Sequence, residues 1–155
     1  MLSAFAQPLE RLLLTLWMGA TWSIGYLVAP VLFQVLDDRK LAGALAGQMF
    51  DKVHLLGAIC GGLLLLLALS SQGRRVLQSW RVWVLVVMLL LIAAIELYIR
   101  PQMLELKAQD MFSNPQLAAE FGKLHGASSV CYLINSLLGL LLVFKGVWTT
   151  AKPVV

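Results

Sequence analysis

The stretch WRVWVLVVMLLLIAAIELYI, residues 80–99, decides how this chain folds. Past Arg81 it carries a single ionisable side chain, Glu96, and it shows none of the two-residue alternation that marks an outer-membrane barrel strand. Twenty residues rising about 1.5 Å each span about 30 Å, the thickness of a bilayer's hydrocarbon. Three more apolar blocks cover residues 12–36, 54–69 and 127–144. The block at 54–69 is short and needs its polar flank, residues 50–53, at the interface. The chain is 60% hydrophobic and 13% charged, with mean hydropathy +0.84. A soluble domain is about 45–50% apolar and about 25% charged, so a water-soluble fold is excluded. The expected fold is all-α: a polytopic membrane protein with four transmembrane helices running up-down-up-down.

No apolar region precedes the A-x-A-like tripeptide near the start, so the first block reads as an uncleaved anchor rather than a signal peptide. The cysteines, Cys60 and Cys131, lie in apolar blocks and read as small buried hydrophobes. Basic residues divide evenly. Arg11, Arg74, Arg75, Arg81, Lys145 and Lys152 fall on the side of the termini, against Glu10 alone. Arg39, Lys40, Lys52, Arg100, Lys107 and Lys123 fall on the other side, balanced by Asp37, Asp38, Asp51, Glu105, Asp110 and Glu120. The short loop SSQGRRVLQSWR carries the densest positive charge, which places both termini in the cytoplasm and the protein in the inner membrane. No basic groove with interleaved aromatics exists, so nucleic acid is not an expected partner. The bilayer is, and a second copy or another membrane protein is an alternative one.

The four blocks form two copies of one unit. FDKVHLLGAIC, residues 50–60, returns 71 positions later as FGKLHGASSVC, residues 121–131. The same offset pairs Pro30 with Pro101, Lys52 with Lys123, His54 with His125 and Cys60 with Cys131. The expectation is one domain, residues 1–155, built from two duplicated helical hairpins at about 9–70 and about 80–147. Both copies then have the same orientation, related by a pseudo-twofold axis along the membrane normal. Asn114-Pro115 reads as a helix start, and Asp37 or Asp38 serves the same purpose before Arg39. Pro30 and Pro101 are expected to kink or interrupt the first and third helices at matching depths.

His54 and His125, the only histidines, then lie at one depth and face each other if both point inward. Facing imidazoles on a bundle axis suit a transition-metal ion or a bis-imidazole heme b. Gly57, Ala58, Gly61 and Gly62, with Gly126, Ala127, Ser128 and Ser129, offer room for a porphyrin or close helix packing. Lys52 and Lys123 are candidates to pair with propionates, or they snorkel to headgroups. Glu96 lies near the end of its span at similar depth, where an ionisable group usually faces an interior site. His54, His125 and Glu96 make a candidate metal set, with Asp51 as an orienting partner; alternatively Glu96 pairs with Arg100 at i+4. Trp22, Ser23, Tyr26 and Asn135 are candidates for a polar interior. Met49, Met103 and Met111 read as packing. Each Cys is rotated about 120° from its own His and does not share a site with it. No catalytic motif appears, so a non-enzymatic protein is expected.

YLVAPVLFQVL, residues 26–36, followed by GQMFDKVH, residues 47–54, resembles a bacterial family of four-helix membrane proteins of unknown function related to eukaryotic transmembrane protein 205. The resemblance implies an integral membrane protein without established enzymology, and an association with platinum-drug resistance hints at handling of metals or xenobiotics. The arrangement is also broadly similar to copper-resistance D-type proteins and to four-helix heme-binding protoporphyrinogen oxidases. Three functions follow as expectations: a heme- or metal-binding protein centred on His54 and His125, a small transporter or resistance component with a polar intramembrane site, and an assembly subunit of a membrane complex.

Overall fold

The computed structural model describes residues 2–109 and 114–147, with side chains from position 6 onward except at 71–75. Asp110, Met111, Lys152 and the side chains of Arg74 and Arg75 lie outside what is described. Four helices are long and apolar enough to cross a membrane: Ala6–Val35, Arg39–Ser70, Trp80–Ala108 and Pro115–Lys145. The first is α1, Leu2–Ser23, continued by α2, Ala29–Val35, and the second is α3, Arg39–Gln72. After a 3₁₀ turn at Gly73–Gln78, the third comprises α4, Trp80–Ala94, and α5, Arg100–Ala108. The fourth is α6, Pro115–Lys145. α1 packs on α3, α3 on α4, α4 on α6 and α6 back on α1, so antiparallel neighbours close a four-membered ring.

The two prolines act more gently than expected. Each span continues through its proline by means of a π turn, Ile24–Val28 in the first and Ile95–Ile99 in the third. Ala29 N–H bonds to Ile24 O, and Arg100 N–H bonds to Ile95 O. Pro30 and Pro101 donate no hydrogen bond, and a proline ring clashes with the carbonyl four residues back. Widening one turn to an i→i+5 bond relieves that clash without breaking the helix. The turns are separated by the same 71 positions as the prolines and histidines. Such π turns collect at functional sites, and Glu96 sits inside the second.

The helix ends follow their local signals. Asp38 Oδ1 accepts from Lys40 N at 2.8 Å and Leu41 N at 3.2 Å, starting α3. Asn114 Oδ1 accepts from Gln116 N at 2.9 Å, with Pro115 at the first helical position. Asn114→Ala should cost about 1 kcal/mol, read as faster hydrogen exchange in the first turn of α6. Gly146 ends α6 with φ 71°, a left-handed conformation that glycine adopts without Cβ strain. The next residue, Val147, donates its N–H to the buried Glu10 carboxylate, tying the end of α6 to α1.

The core lies on the terminal side of mid-bundle, where Trp17, Met18, Leu64, Leu85, Met88 and Leu142 are almost fully enclosed. Some small residues admit these large ones. A Cβ on Gly57 would meet Trp17 Nε1 at 2.5 Å, and one on Gly61 would meet Leu89 Cδ2 at 2.6 Å. Gly139 likewise leaves its space to Met18. The space beside Gly57 and Gly61 is therefore filled by neighbouring side chains. Gly62 and Gly126 open onto unoccupied space. Cys60 is buried and Cys131 half-buried, both as free thiols.

Candidate functional site

Asp51 and His54 lie three residues apart on α3 and so share a face. Glu96, in the π turn of the third span, and Arg100, four residues later, meet that face. His54 Nδ1 and Glu96 Oε1 are 2.6 Å apart. Arg100 Nη1 donates to the other carboxylate oxygen, Oε2, at 3.2 Å, and Arg100 Nη2 donates to Asp51 Oδ2. Four side chains thus form one chain of contacts: Asp51, Arg100, Glu96, His54. Side-chain exposure falls from 39% at Arg100 and 28% at Asp51 to 24% at Glu96 and 8% at His54. The relay opens at Arg100 and dead-ends at the imidazole.

Its hydrogen-bond polarity follows from chemistry. An ionised carboxylate only accepts, so with Glu96 in that form the imidazole donates from Nδ1–H. Nε2 of a neutral imidazole is then a lone-pair acceptor. It is buried and has no hydrogen-bond partner among the described residues. Aromatic rings close around it. Tyr132 lies 6.0 Å from the His54 ring, centre to centre, and Phe50 meets Tyr132 edge-on at 5.1 Å. Tyr132 reaches this position because position 25 is glycine: a Cβ there would come within 2.5 Å of the tyrosine ring. Its hydroxyl donates to Thr21 O at 2.5 Å.

The second histidine behaves differently. His125 is exposed and stacks on Phe121 at 6.0 Å, and its backbone carbonyl, not its ring, accepts from Ser128 and Ser129. Positions 51, 54, 96 and 100 correspond, at the 71-residue offset, to Gly122, His125, Gly25 and Ala29. The second copy of the site therefore keeps its imidazole and lacks both carboxylates and the guanidinium. Lys52 and Lys123 are both exposed. Of the metal and cofactor candidates, the fold assembles His54, Glu96 and Asp51, and it leaves His125, Lys52 and Lys123 at the surface. Asp51 orients Arg100 rather than an imidazole. Glu96 makes both of its alternative contacts at once.

Among the described residues no cluster of three or more His, Cys, Asp or Glu side chains is placed to hold a metal ion. Both Glu96 oxygens are engaged and Arg100 holds Asp51 Oδ2, while His54 Nε2 is buried and open. With His125 at the surface, the two imidazoles do not converge on a bis-imidazole heme or a shared metal ion. The remaining polar candidates divide. Trp22 Nε1 donates to Ser136 Oγ at 2.8 Å, and Asn135 Nδ2 donates to Met88 O at 3.3 Å as helix-to-helix ties. Ser23 and Tyr26 are exposed. Sequence reading missed Tyr132 and the bridging role of Arg100. The signal for Tyr132 was available in the break of the repeat, where Gly61 stands opposite Tyr132 and Gly25 opposite Glu96.

Comparison with curated proteins and with solved structures finds no match. A family model matches residues 12–111, a segment that contains Asp51, His54, Glu96 and Arg100 and ends before His125. An all-helical chain with four candidate membrane spans among its described residues, and a polar chain ending on a buried imidazole inside that segment, thus belongs to the family described as a domain of unknown function, DUF4149.

Proposed function

We propose that this protein is a small carrier or resistance component whose working site is the Asp51–Arg100–Glu96–His54 relay, loaded by a proton at His54 Nε2. The single observation that carries this reading is the buried imidazole, bound to Glu96 through Nδ1 and left without a partner at Nε2. Two carboxylates and one guanidinium leave the relay with one net negative charge when the imidazole is neutral, and none when it is protonated. Intramembrane carboxylate and imidazole groups commonly mark proton and substrate pathways. The enclosed core below Tyr132 supports access from one end only, the end where Arg100 is most exposed. With the termini cytoplasmic, that end faces the periplasm. The resemblance to proteins associated with drug resistance supports the same reading.

The test is proton flux in liposomes containing the purified protein. Wild type should pass protons, alone or with a co-substrate, at a rate that depends on pH. His54→Gln should lower that rate about a hundredfold, the low end of what a positioned proton-transferring group contributes. An unchanged rate in His54→Gln, with intact helical content, would sink the proposal.

One observation favours a second reading, a cofactor at His54 alone. An imidazole whose far nitrogen is oriented by a carboxylate is the usual arrangement of a ligating histidine. Protein purified without a Soret band and without stoichiometric metal by elemental analysis would remove it.

A further inference from the structure

A groove with a cavity volume of about 410 Å³ runs between α1 and α3 on the opposite side of α3 from His54. Ala20, Ile24, Met49, Val53 and Leu56 give it apolar walls, and Gln48 and Lys52 are its polar members. From Leu45 to Leu56 the lining climbs eleven residues of helix, or about 16 Å, of which the last four, about 6 Å, lie inward of Lys52. Lys52 stands just before the apolar block that begins at His54, at headgroup depth, and it makes no ion pair among the described residues. The neighbouring carboxylate, Asp51, is turned away and held by Arg100. The groove therefore sets a lysine without an ion pair between an outer stretch, Leu45 to Met49, and a short apolar inner stretch of Val53, Leu56, Ala20 and Ile24.

We propose that this groove binds one anionic phospholipid from the leaflet at the relay end, its phosphate on Lys52 and one acyl chain along Val53, Leu56, Ala20 and Ile24. Charge complementarity selects this occupant. A zwitterionic lipid has its own cation to satisfy its phosphate, and an anionic one does not. The duplication supplies a built-in comparison. At the 71-residue offset Lys52 becomes Lys123, but Met49 becomes Glu120 and Ala20 becomes Leu91. Glu120 lies three residues before Lys123, within reach of its charge, and a leucine replaces the methyl group that leaves room for a chain. The lysine is present in both copies, and only the first copy keeps the rest of the site.

Native mass spectrometry of the full chain tests this after partial delipidation and titration with phosphatidylglycerol or phosphatidylcholine. Wild type should retain one phosphatidylglycerol in preference to phosphatidylcholine. Lys52→Ala should weaken the phosphatidylglycerol about fivefold, the contribution of one basic residue at a lipid surface. Lys123→Ala should leave it unchanged. Ala20→Leu, which fills the groove without touching charge, should weaken both lipids alike. Equal retention by Lys52→Ala and wild type would overturn the proposal, and so would equal losses in Lys52→Ala and Lys123→Ala. Neither lysine belongs to the relay, so a failure here leaves the proton-flux test untouched.

Discussion

Glu96→Gln should abolish proton-dependent function while the bundle stays folded, with flux falling about a hundredfold, as expected when a positioned acid–base partner is lost. Glutamine keeps the shape of glutamate and both of its hydrogen-bonding positions. Its carbonyl oxygen can accept from Arg100, and its amide can donate to His54 Nδ1, which forces the imidazole into the tautomer with the proton on Nε2. The open acceptor then becomes a donor. The charge balance inverts as well: the relay is neutral with neutral imidazole and carries a positive charge when protonated. Proton uptake then adds a charge to the cluster instead of neutralising one. Glu96→Ala is the informative contrast. It strips both His54 and Arg100 of a partner and should cost about 1–3 kcal/mol of stability, the penalty for buried groups left unsatisfied. A resistance or flux phenotype that survives Glu96→Gln would show that the relay is only a structural tie.

Trp17 and Gly57 should prove strongly coupled. Trp17 is 1% exposed, and its indole Nε1 occupies the place that a Cβ on Gly57 would need, at 2.5 Å. Trp17→Ala should destabilise the bundle by about 3 kcal/mol, the low end for truncating a packed aromatic. The low end applies because helices in a bilayer gain packing but little transfer from water. Gly57→Ala by itself should cost about 1–3 kcal/mol through overpacking, since Ile92 Cδ1 blocks the other side at 2.9 Å. In the Trp17→Ala background Ile92 Cδ1, the end of a flexible side chain, can shift into the vacated space, so the same change should be neutral or gain up to about 1 kcal/mol from the better helix former. The non-additivity of a contacting pair reaches about 0.5–3 kcal/mol, and this one should sit in the upper part of that range. Reversible unfolding in mixed detergent measures it, and additive single-mutant losses would refute the packing account.

The four spans and their helix starts were legible because each rests on local chemistry. An unbroken apolar run of bilayer length can satisfy its backbone only as a helix. Asn114 and Asp38 cap because their side chains reach the next free N–H groups. Pro30 and Pro101 both widen a turn, since the same missing donor and the same ring clash recur 71 positions apart. At the 71-residue offset His54 and His125 stand in matching positions of the sequence. What the offset could not tell was which imidazole is buried. A helix apolar on nearly every face carries little periodic signal for its inward side, so rotation about the helix axis depends on what the neighbouring helix presents. Opposite His54 that neighbour presents Glu96 and Arg100, which draw the ring inward. At the matching place it presents Gly25 and Ala29, with nothing to hold an imidazole, and Tyr132 takes the vacant notch. The sequence by itself determined two equivalent histidines, and tertiary contact decided that one is a buried relay terminus and the other a surface side chain.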